Sequence, residues 1–268
     1  PSAASPSNAT QKKEGAFSRE NLPTDVFSLQ KHTEAAVLVH TAPDGKIAGR
    51  ANISAYFMKI EVIEVNPFAE NTCIAYDETG ECVIIDPGCY TAAERERLRR
   101  FIHENGLKPV RLLNTHCHLD HVFADRFVHD TWGLGLEIHP LEQPLLERFP
   151  LVCQMYGVPF DALPPAPAAF LQPGSHITFG NTTLHILFTP GHSPGSVSFW
   201  CEEAGIVVTG DALFYESIGR TDLPGGNHAQ LLDSIRRELF SLPDATVVYP
   251  GHGPVTTIRH EKEYNPFL

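Results

Sequence analysis

Six consecutive residues near the middle of the chain combine three imidazoles with one carboxylate: His116, Cys117, His118, Leu119, Asp120 and His121. Imidazole and carboxylate ligands together favour zinc, iron or manganese over calcium or magnesium. In an extended turn, alternate residues point to the same side, so His116 and His118 can reach one ion. Asp120 and His121 then face a neighbouring position as the chain enters a helix. The spacing therefore predicts a metal centre.

Three later segments carry the same residue types, and each follows a β-rich run. His192 follows the first of these runs, Asp211 the second and His252 the third. The runs are residues 183–188, 206–208 and 246–249, and a similar run, 110–113, precedes the histidine cluster. Functional side chains usually lie on loops that a rigid sheet holds at its strand ends, so we expect the four segments to converge. The predicted ligands are then His116, His118, Asp120, His121, His192, Asp211 and His252.

Seven ligands are too many for one tetrahedral ion. They suit two ions about 3.5–4 Å apart that share a carboxylate and a water-derived oxygen. The set therefore predicts two divalent metal ions, with zinc favoured over iron or manganese. Any one of these histidines taken alone is more often structural, and it is their combination in this order that indicates a metal site.

The elements that must hold these loops begin near Met58, where the hydrophobic pattern becomes strong. Strands are predicted over residues 59–65, 72–76, 82–85, 110–113, 136–139, 176–179, 183–188, 197–200, 206–208 and 246–249. Helices are predicted over residues 91–105, 122–131, 141–149 and 228–239. The proline-rich residues 158–167 are predicted to form a loop.

The first 57 residues differ from the rest, because residues 1–15 are rich in Pro, Ser, Ala and Asn and have weak periodicity. We expect residues 1–57 to be a partly disordered N-terminal extension and residues 58–268 to form the complete folded domain.

Charge and composition narrow the possible partners. The net charge of −12 argues against nucleic-acid binding, which usually needs a basic surface. No run of about 18 apolar residues is present, so no membrane association is expected. No secretory signal is visible, and six scattered cysteines without a CxxC pair fit reduced thiols, so we expect a cytoplasmic protein. The oligomeric state is left open.

The motifs resemble those of the metallo-β-lactamase-fold hydrolase superfamily over about residues 58–268. They are Thr115-His116-Cys117-His118-Leu119-Asp120-His121, Pro190-Gly191-His192-Ser193-Pro194-Gly195, Gly210-Asp211 and Pro250-Gly251-His252-Gly253. The resemblance implies an α+β fold, a four-layer αββα sandwich. It also implies two sets of ligands, with Asp211 between them: His116, His118 and His192 on one ion, and Asp120, His121 and His252 on the other.

Within that superfamily the chain is similar to the glyoxalase II-like hydrolases of the short hydroxyacylglutathione hydrolase type. The similar segments are residues 210–214, 219–222 and 265–267. The resemblance implies a metal-dependent hydrolase that cleaves a small-molecule thioester, hydroxyacylglutathione-like, or an ester with a metal-bound hydroxide. Asp120 and Asp211 would then be catalytic and orient the hydroxide. A thiol pKa near 8.5 makes a thiolate a good leaving group, which favours a thioester over an amide.

The chain differs from the glyoxalase II enzymes in two respects, so other functions stay open. Only a short segment follows His252, whereas longer glyoxalase II enzymes have a helical extension that helps bind glutathione. Cys117 stands where many of them have histidine, and this is similar to persulfide dioxygenases, which use a single iron. The alternatives are a mononuclear iron persulfide dioxygenase and a non-catalytic metal-binding protein.

Residues near the predicted ligands are candidates for supporting roles. Phe214, Tyr215 and Arg220 follow Asp211 and are predicted to bind substrate. Arg220 could bind a substrate carboxylate bidentately or could simply pair with Asp222. Asp86 either accepts the free N–H of a ligand imidazole or starts a turn before Pro87. Cys117 is predicted to point into the core.

The proposed domain boundary can be tested by truncation. A variant that starts at Met58 should fold cooperatively, because the strong patterning begins there. Its thermal unfolding should match that of the full chain. A truncated chain that is unfolded by circular dichroism would contradict the boundary.

Overall fold

The computed structural model of the protein describes residues 58–268. The predicted N-terminal extension, residues 1–57, and its expected disorder lie outside the described residues. Within residues 58–268, every helix is too short or too polar to cross a membrane.

The first sheet has six strands, which lie side by side in chain order. They are β1 (Lys59–Val65), β2 (Glu70–Tyr76), β3 (Glu81–Ile85), β4 (Lys108–Leu113), β5 (Leu136–Ile138) and β6 (Pro167–Phe170). The first three pair antiparallel, and β3 to β6 pair parallel. Parallel neighbours need crossover connections, which are helical here. The helices are α1 (Ala92–Glu104), α2 (Leu119–Val122), α3 (Asp125–Trp132), α4 (Gln143–Glu147) and α5 (Phe149–Tyr156).

The second sheet also has six strands, in the order β14-β13-β10-β9-β8-β7. They are β7 (His176–Phe179), β8 (Thr182–Phe188), β9 (Val197–Cys201), β10 (Ile206–Gly210), β13 (Val247–Pro250) and β14 (Thr256–Thr257). A hairpin of β11 (Leu213–Phe214) and β12 (Ser217–Ile218) follows β10. Helix α6 (His228–Ser234), extended by a π-helical turn (Ile235–Leu239), leads to β13, which is parallel to β10. Helix α7 (Ile258–Tyr264) follows β14.

Three buried clusters show how these layers stack. The central cluster joins Val83 and Ile85 of the first sheet to Ile186 and Phe199 of the second. A second cluster packs helices α1 to α5 against the outer face of the first sheet, and a third packs α6 and α7 against the second sheet. The protein is therefore a four-layer αββα sandwich of the α+β class, which confirms the predicted fold.

The helix predicted over residues 122–131 is α3, which begins later, at Asp125, and a separate short helix, α2, precedes it. Between them, the Ala124 N–H bonds to the Pro87 carbonyl at 2.8 Å rather than to the Asp120 carbonyl. The Asp120 carbonyl instead accepts the Asn66 side-chain amide at 3.0 Å. These tertiary hydrogen bonds compete with the helical ones, so the helical turn that contains Asp120 and His121 ends after four residues.

Proline explains two further differences between the predicted and the observed elements. The helix predicted over residues 141–149 is a short 3₁₀ turn and α4, after which α5 begins anew with Pro150 in its first turn. Proline suits a helix start because it has no N–H to leave unpaired. Strand β6 was not predicted, since residues 158–167 are rich in proline. It lies at the edge of the first sheet, where a proline is tolerated.

Backbone hydrogen bonds bring the loops of the two sheets together. The Val197 N–H at the start of β9 donates to the Thr115 carbonyl beyond β4, at 2.9 Å. The Gly251 N–H donates to the Gly210 carbonyl at 2.9 Å, and the Gly251 carbonyl accepts the Asn71 N–H at 2.8 Å. The loop after β4 is thus tied to the start of β9, and the loop after β13 is tied to the end of β10 and to β2 of the first sheet.

The central core predicts a large loss of stability for Phe199→Ala. Phe199 is fully buried between the sheets, so its truncation should lower the free energy of unfolding by about 3–5 kcal/mol. Urea denaturation of the metal-free protein measures this. Phe170→Ala, on the half-exposed edge strand β6, is the control and should change stability by about 0.5 kcal/mol or less. Similar losses in the two variants would contradict this account of the core.

Candidate metal centre

The structure brings all seven predicted ligands to one place, and Asp211 lies at its centre. Asp211 Oδ2 is 3.4 Å from His192 Nε2, 3.6 Å from His252 Nε2 and 4.0 Å from His116 Nε2. Its other oxygen, Oδ1, is 3.4 Å from His121 Nε2. One carboxylate therefore faces imidazoles from four different loop positions.

A first group of three imidazoles lies on one side of Asp211. His116, His118 and His192 each offer one nitrogen, and these atoms lie within 4.8 Å of one another. The closest pair is His118 Nδ1 and His192 Nε2, at 2.8 Å. This group joins the loop after β4 to the loop after β8.

A second group contains one carboxylate and two imidazoles. Asp120 Oδ2 is 3.2 Å from His252 Nε2 and 3.9 Å from His121 Nε2. The three ligand atoms again lie within 4.8 Å of one another. The two groups are those that the sequence motifs predicted, although the assignment of each residue to an ion stays a prediction.

Asp86 completes a third close group with His116 and His121, but its oxygens are already used behind the site. Asp86 Oδ2 lies 3.1 Å from His121 Nδ1. The Thr115 N–H and hydroxyl also donate to Asp86, at 2.6 and 2.5 Å. Asp86 thus holds an imidazole and the cluster loop, as one interpretation of the sequence proposed. Asp86 also has a positive φ of 50°, so the chain bends at this position before Pro87.

Backbone carbonyls hold two other imidazoles. His192 Nδ1 donates to the Arg220 carbonyl at 2.7 Å, and His252 Nδ1 lies 3.0 and 3.1 Å from the carbonyls of Phe68 and Ala69. A proton on Nδ1 leaves the lone pair of Nε2 facing the centre, which is the tautomer that binds a metal. Sequence reasoning missed the turn at residues 66–69, because a carbonyl leaves no signal in residue type.

The donor set fits a cation. Among the described residues, His116 Nε2, His121 Nε2 and Asp211 Oδ1 are buried atoms without a hydrogen-bond partner. Buried polar atoms are nearly always paired, so three unpaired acceptors around one point need another explanation. Divalent ions account for them, because nitrogen and carboxylate oxygen are the ligands that zinc and iron prefer.

Burial and charge set the protonation of the site. Burial lowers the pKa of His116 well below its usual range, that of His118 to about 3, and that of His192 as well. Burial alone would lower the pKa of His121, but the carboxylates of Asp211, Asp120 and Asp86 together outweigh burial and raise this pKa well above the usual value. Burial would likewise raise the pKa of Asp211, yet the imidazoles, His121 foremost, hold it well below. The first group is therefore neutral and ready to bind, and Asp211 is an anion.

The predicted substrate-binding residues lie around this centre. The Phe214 ring is 6.0 Å from the His252 ring, edge to face. Tyr215 is 44% exposed and stacks on His260 at 4.9 Å. Arg220 makes two 2.7 Å hydrogen bonds to Asp222, which is the pairing that the sequence left open as its alternative role.

Cys117 points away from the ligands, as expected. Its side chain is buried in the cluster beneath the first sheet. Burial raises the pKa of this thiol well above its usual value, so it is no nucleophile at neutral pH.

Two buried carboxyl groups near the site were missed from the sequence. Glu70 accepts the Thr72 hydroxyl through Oε2, and its Oε1 lies 3.9 Å from His121 Nδ1. Burial raises the pKa of Glu70 well above its usual range. Glu142 lies between two ligand loops. Neither stands in a motif, since one begins a strand and the other ends a 3₁₀ turn.

This chain is similar in sequence and in fold to known proteins. Residues 67–252 match the family model described as the metallo-beta-lactamase superfamily. The chain belongs to the metallo-beta-lactamase superfamily. This confirms the resemblance drawn from the motifs, a superfamily of metal-dependent hydrolases, and the groups of histidines and aspartates described above could hold divalent ions.

Two curated relatives are similar over nearly their whole length. The probable metallo-hydrolase YqgX of Bacillus subtilis is 39% identical over 79% of this chain and 98% of its own. The hydroxyacylglutathione hydrolase GloC of Haemophilus influenzae is also 39% identical, over the same shares of the two chains.

Two solved structures share the fold. The BLEG-1 B3 metallo-beta-lactamase has a TM-score of 0.72 and 37% identity, covering 78% of this chain and 99% of its own. TTHA1623, crystallised in a di-iron-bound form, has a TM-score of 0.70 and 39% identity, covering 78% of this chain and 100% of its own.

Gly251→Ala tests how closely the centre is packed. A Cβ at Gly251 would overlap Asp211 Oδ1 and lie 2.8 Å from His121 Cε1. Because it displaces Asp211, we expect metal affinity to fall at least about tenfold, measured by chelator competition. Gly253→Ala is the matched control. Its Cβ would meet nothing within 4 Å, so it should lose about 1 kcal/mol of stability through its φ of +75° but bind metal normally. Normal metal binding by Gly251→Ala would contradict the packing argument.

Proposed function

We propose that the protein is a binuclear thioesterase that hydrolyses a small, hydroxyacylglutathione-like thioester or a related ester. The observation that carries this proposal is the pair of three-ligand groups on either side of Asp211. A mononuclear enzyme would need only one of them. The substrate class is supported by the 39% identity to a relative named hydroxyacylglutathione hydrolase.

Each group of side chains would hold one ion. His116, His118 and His192 would bind the first, and Asp120, His121 and His252 the second. Asp211 would be shared between them, because its carboxylate lies within 4.0 Å of imidazoles from both groups. Two bound divalent ions supply Lewis acidity and lower the pKa of a water to about 7. We propose zinc for both positions, although the di-iron form of TTHA1623 makes iron a direct competitor.

The two aspartates would position the attacking water and handle its proton. Asp120 and Asp211 are about equally exposed, at 12% and 10% of their side-chain surface, and Asp120 Oδ2 lies 3.2 Å from His252 Nε2. Asp211 is anionic and held by imidazoles, so its role is to fix geometry and charge. Asp120 can accept a proton from water and pass it to the departing sulfur. A thiolate needs this proton less than an amine does, which favours thioesters.

The neighbouring residues suit the recognition of a small acyl thiol. Phe214 offers an apolar edge beside His252, and Tyr215 adds an exposed ring beyond it. Arg220 and Asp222 are both exposed, so a substrate carboxylate can replace Asp222 in the bidentate pair at little cost. All six cysteines are free thiols, which supports a reducing compartment such as the cytoplasm.

Asp211→Ala tests the bridging role. Without the carboxylate the imidazoles lose their shared anion, so the variant should retain at most one ion per chain. Turnover of a hydroxyacylglutathione thioester should fall at least about 100-fold while circular dichroism stays unchanged. Asp161→Ala, at an exposed carboxylate paired with Arg95, should keep both ions and full turnover. Wild-type turnover by Asp211→Ala would refute the assignment.

Measurements on the wild-type protein distinguish the proposed hydrolase from the alternative functions. Metal analysis after purification without added metal, together with a panel of thioesters, esters and lactones, tests hydrolysis directly. One iron per chain with oxygen uptake on glutathione persulfide would instead indicate a persulfide dioxygenase. Bound metal with no turnover on any of these substrates would indicate a non-catalytic metal-binding protein.

A further inference from the structure

Glu142 is a fully buried carboxylate that joins two ligand loops from outside the metal centre. Its Oε2 accepts the Cys117 N–H at 2.8 Å. Its Oε1 accepts the Ser193 hydroxyl at 2.7 Å and the Gly195 N–H at 2.6 Å. Hydrogen bonds to a carboxylate are among the strong ones, and three of them on a buried group fix its position closely.

The groups that donate hydrogen bonds to Glu142 lie next to ligand histidines in the chain. Cys117 lies between His116 and His118, and Ser193 follows His192 directly. The Ser193 hydroxyl also lies 2.6 Å from the Ser196 hydroxyl, which extends the network along the second loop. Glu142 thus sets the separation of two loops that belong to different sheets of the sandwich.

Close approach at Gly195 supports the same reading. A Cβ on Gly195 would lie 3.0 Å from both Cγ and Oε1 of Glu142 and 2.8 Å from His139 Nδ1. Real Cβ atoms essentially never show a contact as short as the one to His139, and the two contacts to Glu142 are tighter than most, so glycine lets the loop approach both side chains. The chain is shaped to accept Glu142 at this point.

The donors to Glu142 adjoin ligands of the first group, although the loop of Cys117 also carries Asp120 and His121 of the second group three and four residues later. The second group is held by other means, with Asp86 behind His121 and the carbonyls of Phe68 and Ala69 behind His252. None of the three donors to Glu142 comes from the loops that carry Asp211 or His252.

We propose that Glu142 is a positioning residue that holds His118 and His192 at the separation needed to bind the first ion. It acts through the backbone of Cys117 and Gly195 and the hydroxyl of Ser193, and it touches neither ion nor substrate. The inference rests on the ligand groups of the proposed function and deepens that proposal, because it makes the two metal positions separately adjustable.

Glu142→Gln is the main variant. Glutamine keeps the shape but replaces one acceptor oxygen with a donating NH₂ group. In either orientation this group faces an N–H donor, from Cys117 or from Gly195. The hydrogen bonds between residue 142 and one of the two loops must therefore weaken. Ser193→Ala, which removes a single hydroxyl donor, should have a smaller effect in the same direction.

The experiment measures zinc dissociation constants by competition with a chromophoric chelator, without reference to turnover. His252→Ala weakens the second group and His118→Ala weakens the first, so each background reports mainly on one ion. Glu142→Gln should weaken zinc binding about 10- to 100-fold in the His252→Ala background. In the His118→Ala background it should change the dissociation constant less than about twofold.

Glu137→Gln serves as the matched control. Glu137 is a mostly buried carboxylate on β5 whose side chain pairs with Arg111, at 2.8 and 2.9 Å, rather than with a ligand loop. It should leave zinc binding unchanged in both backgrounds. Equal weakening by Glu142→Gln in both backgrounds, or no weakening in either, would overturn the inference.

The outcomes separate this inference from the proposed function. Wild-type protein that binds two zinc ions but cleaves no thioester would refute the thioesterase proposal and leave the role of Glu142 standing. Wild-type protein that binds no zinc would overturn both. A normal first-site affinity in Glu142→Gln, with an active wild type, would overturn only the role of Glu142.

Discussion

The buried Asp211 carboxylate is the constraint on which the rest of the structure depends. An anion out of contact with water is costly unless opposite charge and hydrogen-bond donors surround it. Here it is surrounded by imidazoles whose inward nitrogens are acceptors once Nδ1 carries the proton, as the carbonyl partners of His192 and His252 require. Acceptors that face an anion need a cation, which a divalent ion supplies when bound and which protonated His121 and His252, whose pKa values the nearby carboxylates raise, supply otherwise. The site is thus built for metal before any question of substrate arises.

A metal centre of this kind needs rigid support, and the two sheets supply it. The ligand loops emerge from strands packed against a continuous apolar core, and backbone hydrogen bonds such as Gly251 to Gly210 tie neighbouring loops together. Carboxylates and carbonyls behind the imidazoles then fix ring orientation. The two halves differ in this support. Glu142 links the loops of the first half, whereas Asp86 and the turn at residues 66–69 hold the second.

The surroundings explain why substrate identity is harder to read than metal chemistry. The ligands are buried and interlocked, so their geometry admits few alternatives. Phe214, Tyr215, Arg220 and Asp222 lie toward the exposed rim, where pairings are weak and easily exchanged. The BLEG-1 structure, titled a B3 metallo-beta-lactamase, and the relative named for hydroxyacylglutathione hydrolysis are both similar to this chain at nearly equal identity. Similarity to such relatives therefore does not by itself decide which substrate this chain takes.

The sequence by itself determined the donor types, their spacing and the strands that precede them. These are local properties: alternating apolar residues mark a strand, and His116 and His118 share a face because they are two residues apart. From them the seven candidate ligands could be predicted, whereas the fold class followed from the resemblance of the motifs to a known superfamily. The break between α2 and α3 at Ala124, the edge strand β6, and the roles of Glu70, Glu142 and the carbonyls behind His252 could not be predicted. Each depends on contacts between segments far apart in the chain, and a single buried glutamate or a backbone carbonyl has no sequence pattern of its own. Only the packing of one sheet against the other decided which oxygen would meet which imidazole.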